Sequence, residues 1–214
     1  MTPEMLMSEG RRLARPAVFL RPRGNGPVAA AWHERDEDEI ETSGYRCWIT
    51  VDGRFVPGLP KAGSGFLSVF TDERKCEGGR VEVHPVLPKR SGVDLHASEE
   101  SVLPPIEAIF ARGSAAVGEW LAANDWPRGE RYNDNFPDSA IVKEYEREWF
   151  KTYPLYRQDD TYAVLGGWHW PGADDDWYQL IDEQLVVLTI HDSEPWVESW
   201  RLRSGQFKVI QRIT

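Results

Sequence analysis

Leu185-Val-Val-Leu-Thr-Ile190 is the stretch that decides the fold. Leu185 to Leu188 are apolar at four consecutive positions, and on a strand those side chains alternate between the two faces, so both faces need cover. At the edge of a sheet such a segment would invite aggregation. It therefore predicts a central strand.

Strand patterns surround it. Tyr162 to Leu165 precedes it, and Trp196 to Leu202 and Phe207 to Ile213 follow. Near the start of the chain, Ala17 to Leu20 and Val28 to Trp32 flank a turn rich in Gly and Pro and read as a first pair of strands. Tyr45 to Val51 alternates apolar and polar residues up to Asp52-Gly53, and Asp-Gly supplies the backbone of a two-residue hairpin turn continuing through Phe55-Val56. Phe66 to Phe70 and Arg80 to His84 add two more strands.

The middle of the chain has a different period. Ile106, Ile109, Phe110, Val117, Trp120 and Leu121 recur at helical spacing behind Pro104-Pro105, and a second helix is expected from Asp138 or Ser139 to about Phe150. Thr2-Pro3-Glu4 has the form of a capped helix start, and the acidic Arg35 to Thr42 reads as one or two exposed helical turns. Strands, then helices, then strands predict an α+β fold, a mostly antiparallel sheet with helices inserted in the middle of the chain. No Ser- or Gly-rich linker divides residues 1–214, so a single globular domain is expected. Trp48, Asp52, Gly53 and Phe55 repeat the spacing of Trp200, Ser204, Gly205 and Phe207, which two hairpins obeying the same turn rules would produce.

With 35 acidic and 25 basic residues the net charge is −10, a field that repels phosphate backbones and disfavours nucleic acid. The chain lacks a signal-like or membrane-spanning apolar run, and Cys47 and Cys76 are too few for a disulfide framework or a thiolate zinc site. A cytoplasmic protein with no membrane association is expected. Phosphate-loop, dinucleotide, zinc-protease and nucleophile-elbow motifs are absent, and no cofactor or metal is indicated.

Two segments carry the residues that chemistry would use. Trp168, His169, Trp170, Asp174, Asp176 and Trp177 follow two glycines at the end of a strand, where tryptophan faces suit a sugar, a cation or a partner side chain. His191, Asp192 and Glu194 follow the central strand. If the strands ending at Leu165 and Ile190 were parallel neighbours, the two segments would share one rim. The competing account is that the tryptophans close the core and Asp174 to Asp176 cap a helix.

Leu165-Gly-Gly-Trp168 and the acidic, Trp-rich ending resemble YwqG-like bacterial proteins over about ten residues, and the chain's general style is similar to the SUKH immunity group. The resemblance assigns no functional residue. Three functions compete. The first is a non-enzymatic immunity or regulatory protein that binds a protein partner through an acidic, Trp-rich surface. The second is a hydrolase or metal-dependent enzyme using the histidines and carboxylates of the C-terminal third. The third is a small-ligand or carbohydrate-binding module.

Overall fold

A computed structural model describes residues 2–75, 78–89, 92–105, 140–153, 160–168, 183–190 and 196–212. The protein is mostly antiparallel β. Eleven strands form one sheet: β1 (Arg15–Arg21), β2 (Val28–His33), β3 (Tyr45–Asp52), β4 (Phe66–Asp72), β5 (Gly79–His84), β6 (Gly92–Ala97), β7 (Ser101–Leu103), β8 (Ala163–Gly166), β9 (Gln184–Thr189), β10 (Trp196–Arg201) and β11 (Phe207–Arg212). Their order is β11-β10-β9-β8-β1-β6-β2-β3-β4-β5, with β7 also paired to β1. The end strands β5 and β11 lie against each other, so the ten strands on this path make a nearly closed barrel.

The central strand is where the sequence places it. β9 lies between β8 and β10, and Leu185 to Thr189 are all buried. Alternation then sorts the core into two clusters. Val18, Leu165, Val187, Val197 and Val209 belong to the cluster inside the barrel, with Leu20, Ala30, Trp32 and Ile49. Phe19, Val164, Leu188, Trp200 and Ile210 face outward and are covered by helices.

Those helices are α1 (Pro3–Arg12) and α3 (Ala140–Thr152); α2 (Glu37–Ser43) lies elsewhere, between β2 and β3. Thr2 caps α1 by accepting from Met5 N at 3.4 Å, and Leu6 packs with Tyr145 and Trp149 of α3 over β1 and β8. Trp149 Nε1 and Tyr145 Oη donate to the carbonyls of Pro104 and Pro105 at 2.9 and 2.7 Å. These bonds pair the polar tips of two buried rings. The helix expected over Asp138 to Phe150 is thus present as α3, whereas that over Ile106 to Leu121 lies outside the described residues, as does Cys76. Cys47 is buried in β3 as a small apolar residue. Among the described residues no helix is long and apolar enough to cross a membrane.

Three expectations about connectivity need correction. First, β1 and β2 are both strands but not partners, because β6 lies between them. Gly26 makes the insertion possible: a Cβ there would sit 1.8 Å from Ala97 O. Second, Asp52-Gly53 is no hairpin turn. The Asp52 carboxylate accepts from Arg54 N at 3.0 Å and starts a 3-10 turn, Gly53–Phe55, and the partner strand resumes only at Phe66. The side chain's own hydrogen bond to the backbone has outcompeted the two-residue turn. The second copy of that spacing does form a hairpin, with Gly205 at φ 84° between β10 and β11. Third, β6 and β7 were missing from the sequence reading, although Val93, Leu95 and Ala97 alternate with Asp94 and His96.

Candidate functional site

Of the residues singled out from the sequence, Trp168 is described. Gly166 and Gly167, at φ 67° and 72°, turn the chain out of β8 and deliver Trp168 against the N-terminal segment. It is 6% exposed, its Nε1 donates to Leu13 O at 2.9 Å, and the Arg15 guanidinium lies 3.5 Å over its ring. One face and the polar tip are committed within the protein and the ring is almost wholly buried, so Trp168 itself offers no exposed platform to a sugar. His169, Trp170, Asp174, Asp176, Trp177, His191, Asp192 and Glu194 lie outside the described residues.

The strands that carry these two segments correct the shared-rim expectation. β8 and β9 are antiparallel, with Leu165 opposite Val187 and Ala163 opposite Thr189. Gly167 thus leaves the strand pair beside the start of β9, whereas Ile190 leaves it beside Tyr162, whose carbonyl accepts from Ile190 N at 3.1 Å. The two exits are about 16 Å apart along the strands. Strand polarity gives no reason for the histidines and carboxylates to converge.

A small cleft of about 300 Å³ opens at the Gly167 end, walled by Pro16, Pro57, Gly58, Leu185 and the two glycines. Gln184 Nε2 donates to Pro57 O across it, and Arg15 Nη1 donates to Glu183 O at 3.1 Å. Its walls are apolar and its polar groups are already paired.

The larger concavity is at the opposite end. His33 to Glu39 form one wall of a groove of about 830 Å³, and Pro88 and Lys89 form the other. The sequence builds the first wall: β2 ends at His33, Asp36 caps α2 by accepting from Glu39 N at 3.0 Å, and Gly44 ends the helix at φ 78°. Five carboxylates and two cations line the groove. Arg35 is tied down, donating to Glu37 at 2.6 Å and Glu73 at 3.1 Å. The hydrogen bond to Glu37 is the main cause holding its guanidinium above the usual value. Glu34, Asp36 and Asp38 form no ion pair with any described residue. Sequence reasoning saw this run as exposed helical turns; its charge density was the signal that it also forms a wall.

Beneath the groove His33 is 3% exposed, with Nε2 2.8 Å from Thr50 Oγ1, which is 2.7 Å from Ser68 Oγ. Both hydroxyls are wholly buried, so the chain of hydrogen bonds ties β2, β3 and β4 together and offers no nucleophile to a substrate.

Aromatic side chains fill the same end of the barrel. Trp32 stands edge-on to Trp48 at 5.6 Å and to Tyr162 at 5.4 Å. Trp48 Nε1 donates to Thr71 Oγ1 at 2.8 Å, and Thr71 donates on to Glu73 at 2.9 Å. Over the Trp48 ring, at 3.4 Å, lies the guanidinium of Arg46. Burial, and next the positive charge of Arg35, hold Arg46 below its usual value.

On the outward face of β10, Glu198 is wholly buried and accepts from Trp200 Nε1 at 3.1 Å. Among the described residues no group of three His, Cys, Asp or Glu is placed to hold a metal ion. The resemblance over Leu165 to Trp168 gains no family from comparison. No family model matches the chain, and no curated protein matches it in sequence.

Proposed function

We propose that the chain is a non-enzymatic binding protein that holds a basic partner against the acidic face around α2. The observation that carries this reading is the groove between His33–Glu39 and Lys89, where five carboxylates outnumber two cations and, among the described residues, Glu34, Asp36 and Asp38 have no cation of their own. The net charge of −10 extends the same field over the molecule and would speed encounter with a positively charged surface. Among the described tryptophans, Trp32, Trp48, Trp149, Trp168 and Trp200 are buried and Trp196 is half-buried; Trp120, Trp126, Trp170 and Trp177 lie outside the described residues. The acidic part of the sequence-based reading is the part that the groove supports.

The α+β description, with further helices in the middle of the chain, belongs to this proposal on the strength of helical spacing and of α3. The antiparallel β8–β9 pair removes the reason to join the two histidine-bearing segments in one site, and Trp168 is buried; the other residues that an enzyme or a sugar platform would use lie outside the described residues.

The test is a pull-down from native lysate at low salt, using the natural protein and a Glu34→Gln/Asp38→Asn variant. A basic protein is expected on the natural chain, released as salt rises and recovered less by the variant. Recovery of nothing at low salt, or equal recovery by the variant, refutes the reading.

A further inference from the structure

Among the described residues Arg46 is a cation without a counter-ion. Its Nε is buried and unbonded, and no described carboxylate lies within ion-pair distance of its guanidinium. The nearest candidates are engaged elsewhere: Glu37 and Glu73 both accept from Arg35, and Glu73 also accepts from Thr71 Oγ1. Contact with Trp48 fixes the position of the guanidinium carbon, 3.4 Å from the ring centre, because the ring beneath it is wholly buried and anchored through Thr71. Among the described residues nothing bonds the terminal nitrogens, and unlike Nε they keep contact with solvent, so donors on that edge are available to a ligand.

A guanidinium so placed is matched by a planar anion with two oxygens. Carboxylate and phosphate both present two such oxygens, but the carboxylate group is the planar one; of the charges acting on Arg46, that of Arg35 is stronger than those of Glu73 and Glu37, which oppose it. We propose that Arg46, seated on Trp48, is a recognition site for a single carboxylate. Trp48 acts as the positioning residue that holds the donor edge. The site is independent of the basic-partner reading, since it uses a different side chain and the opposite charge. The carboxylate has two sources, a small free acid or an acidic group on a polypeptide.

The indole N–H of Trp48, bonded to Thr71, is a local reporter in a nitrogen–proton correlation spectrum and is assigned with Trp48→Phe. The uniformly labelled full chain is titrated with acetate, and separately with a short neutral peptide carrying one aspartate and with its asparagine counterpart, against sodium chloride at matched ionic strength. A saturable shift of the Trp48 signal is expected with a carboxylate probe, absent with the asparagine peptide. It should weaken at least ten-fold in Arg46→Met, whose side chain still covers the ring. Arg46→Lys, which keeps the charge and loses the fork, should fall between. Saturation by acetate as readily as by the peptide assigns a small acid; saturation by the aspartate peptide alone assigns a polypeptide. No saturable shift, a shift that chloride reproduces, or one undiminished in both Arg46→Met and Arg46→Lys overturns the proposal. The rest of the spectrum reports whether each variant is folded.

Discussion

Replacing Ser199 with alanine should stabilise the protein. Ser199 lies on the inward face of β10, wholly buried, between Val187 of β9 and Val209 of β11 in register. Among the described residues its hydroxyl has no hydrogen-bond partner. A hydroxyl taken from water and left unpaired costs about 1–3 kcal/mol. Removing the oxygen leaves roughly 15 Å³ of void, a loss of about 0.4 kcal/mol. The balance favours alanine by about 1 kcal/mol, opposite in sign to the usual effect of a core substitution. For a chain of this size that corresponds to an increase in Tm of about 2–4 °C. Urea unfolding followed by tryptophan fluorescence measures the difference directly. A second arm uses Val187→Thr, which places a hydroxyl opposite Ser199 across the strands. It should be tolerated with Ser199 present and costly in the Ser199→Ala background, a coupling of about 1 kcal/mol. If Ser199→Ala lowers stability by more than about 0.5 kcal/mol and the coupling vanishes, the inward placement of an unpaired hydroxyl is wrong.

Val187→Asp should abolish soluble expression, because it puts an unpaired charge on the inner face of the central strand; a folded variant recovered by size-exclusion chromatography contradicts the placement of β9. Gly166→Ala should cost about 3–4 kcal/mol, since φ is 67° and the new Cβ would lie 2.6 Å from Pro16 O. Gly205→Ala, at φ 84° with open space around it, should cost only about 1–2 kcal/mol, and equal losses in thermal denaturation would show that the close approach is not real. Asp52 is opposed by burial, but its bonds to the Arg54 side chain and backbone prevail and hold its carboxyl below the ordinary value. Its contribution is therefore complete above the unfolded-state value and lost as pH falls through the folded-state value. Asp52→Asn should flatten the urea midpoint across that acidic window, and an unchanged acid limb argues against the contribution.

The strands could be read because their signals are local. Leu185 to Leu188, apolar on both faces, could only be a covered strand, and Thr2-Pro3 and the Tyr145 to Trp149 spacing located α1 and α3 to within a few residues. Partnership could not be read. Nothing within Ala17–Leu20 or Val28–Trp32 states that β6, some sixty residues later, will lie between them, because ladder hydrogen bonds are made by backbone that is the same at every residue. At Asp52 the local code itself was ambiguous, since the same carboxylate serves a hairpin or caps a 3-10 turn.

The candidate sites divide in the same way. Composition alone established the acidic field, while Arg35 to Thr42 read only as exposed helical turns. Only the tertiary structure decided that this run faces Lys89 across a groove, that Trp168 is spent on Leu13 and Arg15, and that β8 and β9 run antiparallel, sending the two histidine-bearing segments from opposite ends. Arg46 shows the reason most plainly. In sequence it is one arginine among many; its significance arises because Trp48 holds it from below while Arg35, eleven residues away in the chain, takes the carboxylates within its reach. Charge and periodicity are properties of segments, and the sequence determines them. Which groups remain unpaired depends on what every other segment has bonded, and only the closed barrel decides that.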